Sequence, residues 1–165
     1  MKKAINVGCG NTIYNNKEYE WTNLDIRALP NVNMVRDIKR GIPVNDKTYD
    51  LIIAIHFIEH FEAEDLIFIM DEFYRVLKDK GILFIETPTR DSKLSWIDPA
   101  HKQHFVQDSL NFFVVKDMNS ISSGVVNYFK MIRVLENDCV FKYVMQKDLA
   151  HKGEAHSYQY NKEGK

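Results

Sequence analysis

A strand that ends on a glycine turn, followed by a second strand that ends on an acid, constrains this chain most. Residues Ala4-Ile5-Asn6-Val7 lean apolar, and Gly8-Cys9-Gly10 follows at once. The chain is then polar through Asn11, Asn15, Asn16 and Lys17, before Trp21-Thr22-Asn23-Leu24-Asp25 closes a second apolar run. That order is the order of a nucleoside-binding half-site. Glycine permits a sharp turn and lets a ligand approach bare backbone. Asp25 at a strand tip can accept hydrogen bonds from two neighbouring ribose hydroxyls. The dinucleotide fingerprint places a third glycine three residues after the second, and Ile13 stands there instead. The segment after the turn is short and without helical period, so it offers little helix N-terminus to hold a pyrophosphate. A nucleoside ligand without phosphate fits better.

The rest of the chain reads as an α/β domain. Residues 32–37 predict a short third strand ending on Asp37, and 51–55 a fourth, apolar without alternation, as in a strand buried on both faces. Residues 62–80 predict the best helix, with Leu66, Ile69, Met70, Phe73, Val76 and Leu77 at helical spacing and Gly81 as its stop. Residues 82–86 predict a fifth strand, so strand, helix, strand makes a parallel crossover. A short helix is expected at 108–115. Two strands, 127–136 and 139–146, flank the turn pair Asn137-Asp138 as an antiparallel hairpin at the sheet edge. The expected architecture is a three-layer, Rossmann-like sheet of seven strands, mostly parallel, with an antiparallel C-terminal hairpin. The domain is placed at residues 1–149 and a polar tail at 150–165.

Composition narrows the function classes. A chain of 165 residues can bury roughly 70% of its unfolded surface and needs no staples. With 22 basic against 23 acidic residues there is no basic excess pointing to nucleic acid. No apolar stretch reaches membrane-spanning length, and the apolar run at the start breaks at Gly8, too soon for a signal peptide. Cys9 and Cys139 lie far apart with no metal-type spacing, so the cytoplasm is the default compartment.

The ordered set of segments resembles the class I S-adenosylmethionine-dependent methyltransferases over roughly residues 3–147. Asn6-Val7-Gly8-Cys9-Gly10 looks like that family's first motif, Thr22-Asn23-Leu24-Asp25-Ile26 like its second-strand acid, and Val35-Arg36-Asp37-Ile38 like its adenine-side acid. Residues 46–52 followed by His56-Phe57-Ile58-Glu59-His60 look like its fourth strand and the segment after it, and 75–83 like its helix-to-fifth-strand junction. Within the family the chain is similar to small bacterial predicted methyltransferases. Two departures stand out. Asn6 occupies a position that is usually acidic, and the first helix is trimmed.

The resemblance implies S-adenosyl-L-methionine as cofactor. The residues to hold it are Asn6, Gly8, Cys9, Gly10, Asp25, Ile26, Asp37, Ile38, Ile55 and His56. Methyl transfer calls for no metal, because the protein mainly aligns donor and acceptor and excludes water. Where an acceptor proton must leave, His56 and His101 are the candidate bases. The acceptor is expected to be a small molecule or a sugar, with protein side chains also open. The hairpin edge offers a route to a homodimer. Two alternatives have residues behind them. His56-Phe57-Ile58-Glu59-His60 satisfies an inverted zinc-protease signature, which would make a zinc-dependent hydrolase. Its position directly after a buried strand, outside any long amphipathic helix, argues against that reading. Asn6 and the short first helix motivate the other alternative, a non-catalytic cofactor-binding module.

Overall fold

A computed structural model describes residues 1–151 and 153, and the backbone of residues 159–162. Eight strands form one sheet in the order β3-β2-β1-β4-β5-β7-β6-β8. They are β1 (Lys2–Val7), β2 (Tyr19–Asp25), β3 (Met34–Val35), β4 (Tyr49–Ile55), β5 (Leu77–Pro88), β6 (Lys130–Glu136), β7 (Val140–Gln146) and β8 (Gln159–Lys162). The first five run parallel, and β7 pairs antiparallel with both β5 and β6. This is the mostly parallel sheet with an antiparallel C-terminal hairpin that the sequence pattern predicts. The hairpin turn is set by Asn137, whose Oδ1 accepts from the N–H groups of Cys139 and Val140 at 2.9 and 2.8 Å. The hairpin is not the outermost element, because β8 adds to β6 in parallel from within the segment 150–165.

The first crossover contains no helix. Side-chain amides do the work of one by tying the loop to the strands. Asn6 Nδ2 donates to the Thr12 carbonyl at 2.8 Å. Asn23 accepts from Tyr14 N–H at 3.2 Å and returns a bond to the Tyr14 carbonyl at 3.1 Å. Asn33 accepts from Asn23 N–H at 2.6 Å and donates to the Trp21 carbonyl at 3.1 Å. Tyr14 stacks on Trp21 with ring centroids 4.9 Å apart. Backbone groups that a helix would have satisfied internally find their partners here.

The main helix, α1 (Ala63–Val76), buries Leu66, Ile69, Met70, Phe73 and Val76, with Glu64 and Asp65 in its first turn and Arg75 in its last. It is shorter than the periodicity over 62–80 suggests. The chain leaves helical geometry at Leu77, which already pairs with Tyr49 in the sheet. Lys147, 3% exposed, ends the helix by donating from Nζ to the carbonyls of Tyr74 and Leu77 at 2.7 and 2.8 Å. Gly81 is therefore not a helix stop. A Cβ there would lie 2.8 Å from the Lys78 carbonyl oxygen, so glycine is needed for close packing inside β5. The segment expected as a helix at 108–115 is a 3-10 turn, Ser109–Phe113, burying Leu110 and Phe113. A short helix, α2 (Met118–Ser122), carries an Asp117–Ser120 capping box that the apolar pattern did not reveal.

Candidate active site

The carboxyl ends of β1, β2 and β4 converge where ligands of open α/β sheets bind. A cleft of about 340 Å³ lies there, lined among others by Gly8, Asp25, Ile26, Arg27, Asp37, Ile38, His56, Phe57, His60 and Phe61. A smaller cleft of about 260 Å³ adjoins it through Gly8 and His56, and is also lined by Asn6, Cys9, Gly10, Thr12 and Ile55. All ten residues expected to hold a cofactor line one cleft or the other.

The glycine turn is built around Asp25. Gly8 and Gly10 both take positive φ, 65° and 52°, which side chains rarely adopt. Gly10 N–H donates to Asp25 Oδ2 at 2.8 Å, and Cys9 N–H to the Leu24 carbonyl at 3.0 Å, so the turn is pinned to the end of β2. Asp25 is 4% exposed, and its Oδ1 accepts from the N–H and Nε of Arg27 at 2.9 and 3.0 Å. Burial pushes the Asp25 carboxyl up, but the bonds from Arg27 and Gly10 outweigh it and hold the group below the ordinary carboxylate range. Burial, together with the neighbouring Asp25 charge, pushes the Cys9 thiol up, so it is not an activated nucleophile.

Asp37 begins a 3-10 turn, Ile38–Arg40, and its Oδ1 accepts from Lys39 N–H at 3.0 Å. Ile38 is buried beneath it. Phe57 presses on Gly8 so closely that an added Cβ there would fall 2.2 Å from its ring, and Phe61 meets Phe57 edge to face at 4.8 Å. These two rings and Arg27 are cleft residues that the motif reading missed. The signal for the rings was present in Phe57 and Phe61 themselves, two aromatics flanking His60 directly after β4.

His56 sits at the tip of β4 with φ at 49°. Its N–H is bonded to the Glu86 carbonyl at 2.9 Å, and its Nδ1 lies 3.3 Å from Glu59 Oε1. The Glu59 carboxylate holds the imidazole above its ordinary pKa, against partial burial. His101 is placed differently. Its side chain is 7% exposed, its Nδ1 lies 3.1 Å from the Ser95 carbonyl, and its ring packs edge to face on His60. It does not line the larger cleft, so of the two expected bases only His56 opens onto it. The zinc-protease signature is not built either. Residues 58–60 form a single 3-10 turn, and His56 and His60 do not share a helix face.

The methyltransferase-domain family model matches residues 3–124 of this chain. The chain belongs to that family. It is 33% identical over 76 residues to a methyltransferase-like protein of Schizosaccharomyces pombe, an alignment covering 46% of this chain and 28% of that one. The chain thus spans well under half the length of that curated relative. Among solved structures, a SAM-dependent methyltransferase from Archaeoglobus fulgidus superposes with a TM-score of 0.62 at 17% identity, covering 88% of this chain and 86% of the other. The Burkholderia thailandensis 1,6-didemethyltoxoflavin-N1-methyltransferase, solved with S-adenosylhomocysteine, superposes at 0.63 with 9% identity, covering 89% and 72%. At these identities the two structures establish a shared fold, which is the class I methyltransferase sheet. No helix among the described residues is long and apolar enough to cross a membrane.

Proposed function

We propose that this chain binds S-adenosyl-L-methionine across the two adjoining clefts and transfers its methyl group to a small-molecule or sugar acceptor. One observation carries the reading. Asp25 is a buried, ionised carboxylate at the tip of β2, bonded to the glycine turn and lining the same cleft as Asp37, Ile38 and Phe57. Such a group suits a ribose diol. When bound, the cofactor supplies a methyl group already made electrophilic by its sulfonium.

The chain's own residues then have definite tasks. Asp25 accepts from the ribose hydroxyls once the exposed Arg27 side chain gives way. Asp37 and the Ile38 backbone face the adenine. Gly8 and Gly10 present bare backbone to the amino-acid end, with Asn6 keeping their loop in place. Phe57 and Phe61 keep water from the cleft. His56, at the junction of the two clefts, is the side chain placed to take a proton from an acceptor hydroxyl or amine. The two unpaired cysteines, one buried and one exposed, suit work in the cytoplasm.

Isothermal calorimetry with S-adenosylhomocysteine and S-adenosylmethionine tests this reading. Wild-type protein should bind both. Asp25→Asn should bind at least about tenfold more weakly, since a hydrogen bond to a charged group is worth roughly 1.5–3 kcal/mol. A folded sample that binds neither ligand removes the reading. Binding without turnover across a broad acceptor panel would favour a non-catalytic cofactor-binding module instead.

A further inference from the structure

One buried carboxylate beside the cleft is short of partners. Glu59 is 1% exposed, and its Oε2 accepts from the Thr87 hydroxyl at 3.1 Å. Its Oε1 is shielded from solvent yet accepts no hydrogen bond. His56 Nδ1 approaches it to 3.3 Å, an ion-pair distance without hydrogen-bond alignment. Buried carboxylate oxygens are ordinarily matched by donors or by a cation.

Two other imidazoles meet at this carboxylate. Ligand atoms from Glu59, His60 and His101 all lie within 4.8 Å of one another. The His60 and His101 rings meet edge to face with centroids 4.8 Å apart. A tetrahedral ion with ligands at about 2.0–2.2 Å sets its donors roughly 3.4 Å apart, so side-chain movements of about 1 Å close the set. The supporting contacts are those that metal-binding histidines use. His101 Nδ1 faces the Ser95 carbonyl at 3.1 Å, which assigns the proton to Nδ1 and leaves the Nε2 lone pair for a ligand role. The Glu59 carbonyl accepts from the N–H groups of Lys102 and Gln103 at 2.7 and 3.1 Å, fastening the loop that carries His101 to the turn that carries Glu59 and His60. Asp98 Oδ2, 4.0 Å from His101 Nε2, adds negative charge.

We propose that Glu59, His60 and His101 bind a divalent transition-metal ion of the zinc or cobalt kind. Two imidazoles and one carboxylate suit these ions better than magnesium or calcium, which prefer all-oxygen sites. This set differs from the protease-like signature, since His101 replaces His56. Three protein ligands leave a coordination position open. His60 also lines the larger cleft, so the ligand class for that position is an oxygen of the methyl acceptor, a hydroxyl or a carboxylate. That second part rests on the methyltransferase reading. The metal site itself does not.

The test uses full-length, tag-free protein stripped with EDTA, titrated with Co²⁺ by visible absorption and with Zn²⁺ by calorimetry. One equivalent should bind, with the d–d bands of a four- or five-coordinate nitrogen and oxygen site. His60→Gln and His101→Gln, chosen to keep side-chain bulk, should each weaken binding at least about tenfold with unchanged far-UV circular dichroism. Glu59→Gln should do the same. If that variant fails to fold, the two histidine variants decide. Failure of wild type to bind either ion below about 100 μM overturns the proposal, as does undiminished binding in both histidine variants. S-adenosylhomocysteine titrated into the same samples separates the two readings. Metal without cofactor leaves the site standing and removes the methyltransferase function. Cofactor without metal does the reverse.

Discussion

Replacing Asn6 by Asp would give this chain the acid usual in its family, and the structure predicts that the change does harm. Asn6 is 3% exposed, and its Nδ2 donates to the Thr12 carbonyl at 2.8 Å and toward Asn23 Oδ1 at 3.4 Å. A carboxylate donates to neither. Asn23 cannot turn over to help, because its own Oδ1 and Nδ2 are engaged by Tyr14 N–H and the Tyr14 carbonyl. The lost bond costs about 1 kcal/mol, and a carboxylate facing two acceptor oxygens adds roughly 1–2 kcal/mol. The sum, about 2–3 kcal/mol, corresponds to a Tm lower by roughly 4–12 °C for a domain of this size. Side-chain volume is nearly unchanged, so no cavity complicates the result. The cost also carries a pH signature. The new carboxyl would have its folded pKa raised by these neighbours, so the penalty is largest above that pKa. It shrinks as pH falls through the folded value toward the unfolded value near 4. Denaturant unfolding of N6D and wild type at pH 7 and pH 5 measures both effects. Equal stability at pH 7, or a gap that widens at pH 5, would refute the view that Asn6 anchors the loop replacing the first helix.

Other perturbations probe the same machinery. Gly8→Ala places a methyl 2.2 Å from the Phe57 ring at a positive φ, and should cost about 2–4 kcal/mol, of which about 1–2 is backbone strain. In a Phe57→Ala background only the strain should remain in denaturant unfolding, and equal costs in both backgrounds would show that the ring is not what Gly8 accommodates. Arg27→Ala removes the guanidinium from Asp25 and leaves only the backbone N–H of residue 27 on Oδ1, so S-adenosylhomocysteine should bind a few-fold more tightly by calorimetry. Weaker binding would mean that Arg27 assists the cofactor. Lys147→Met removes both Nζ bonds at the end of α1 while keeping the apolar stem. Two charge-assisted bonds at about 1.5 kcal/mol each, less the relief from no longer burying a charge, predict a loss of about 1–3 kcal/mol, and an unchanged Tm would contradict the capping role.

The features most legible in the sequence were those fixed by local chemistry. Gly8 and Gly10 marked a positive-φ turn, Asp25 closed β2, and the apolar run at 51–55 marked β4, although only its Ile52 and Ala54 face is fully buried and Leu51, Ile53 and Ile55 stay partly exposed on the other. Features set by distant partners were not legible. The end of α1 depends on Lys147, which lies seventy residues downstream, and on Leu77 being drawn into the sheet opposite Tyr49. Helical spacing continues past Val76, so periodicity alone overran the boundary. The third strand expected over 32–37 is only Met34–Val35, because Asp37 caps the 3-10 turn that follows, and the four-residue β8 is too short for an alternating pattern to register. At the site, the motif reading picked out residues that line the two clefts because each sits at or near a strand end. It paired His60 with His56 because they are close in sequence, whereas the loop after β5 brings His101 against His60. Asn6 stands in the sequence only as an amide at a position usually acidic in the family. Its partner Thr12, in a loop without regular structure, reveals an anchor.

The most direct measurement is a crystal structure grown with S-adenosylhomocysteine. Ribose hydroxyls are expected on the Asp25 carboxylate with Arg27 displaced, adenine beside Asp37 and Ile38, and the amino-acid end over Gly8–Gly10. Ligand bound elsewhere, or an Asp25–Arg27 pair left intact beneath a bound ribose, would contradict it.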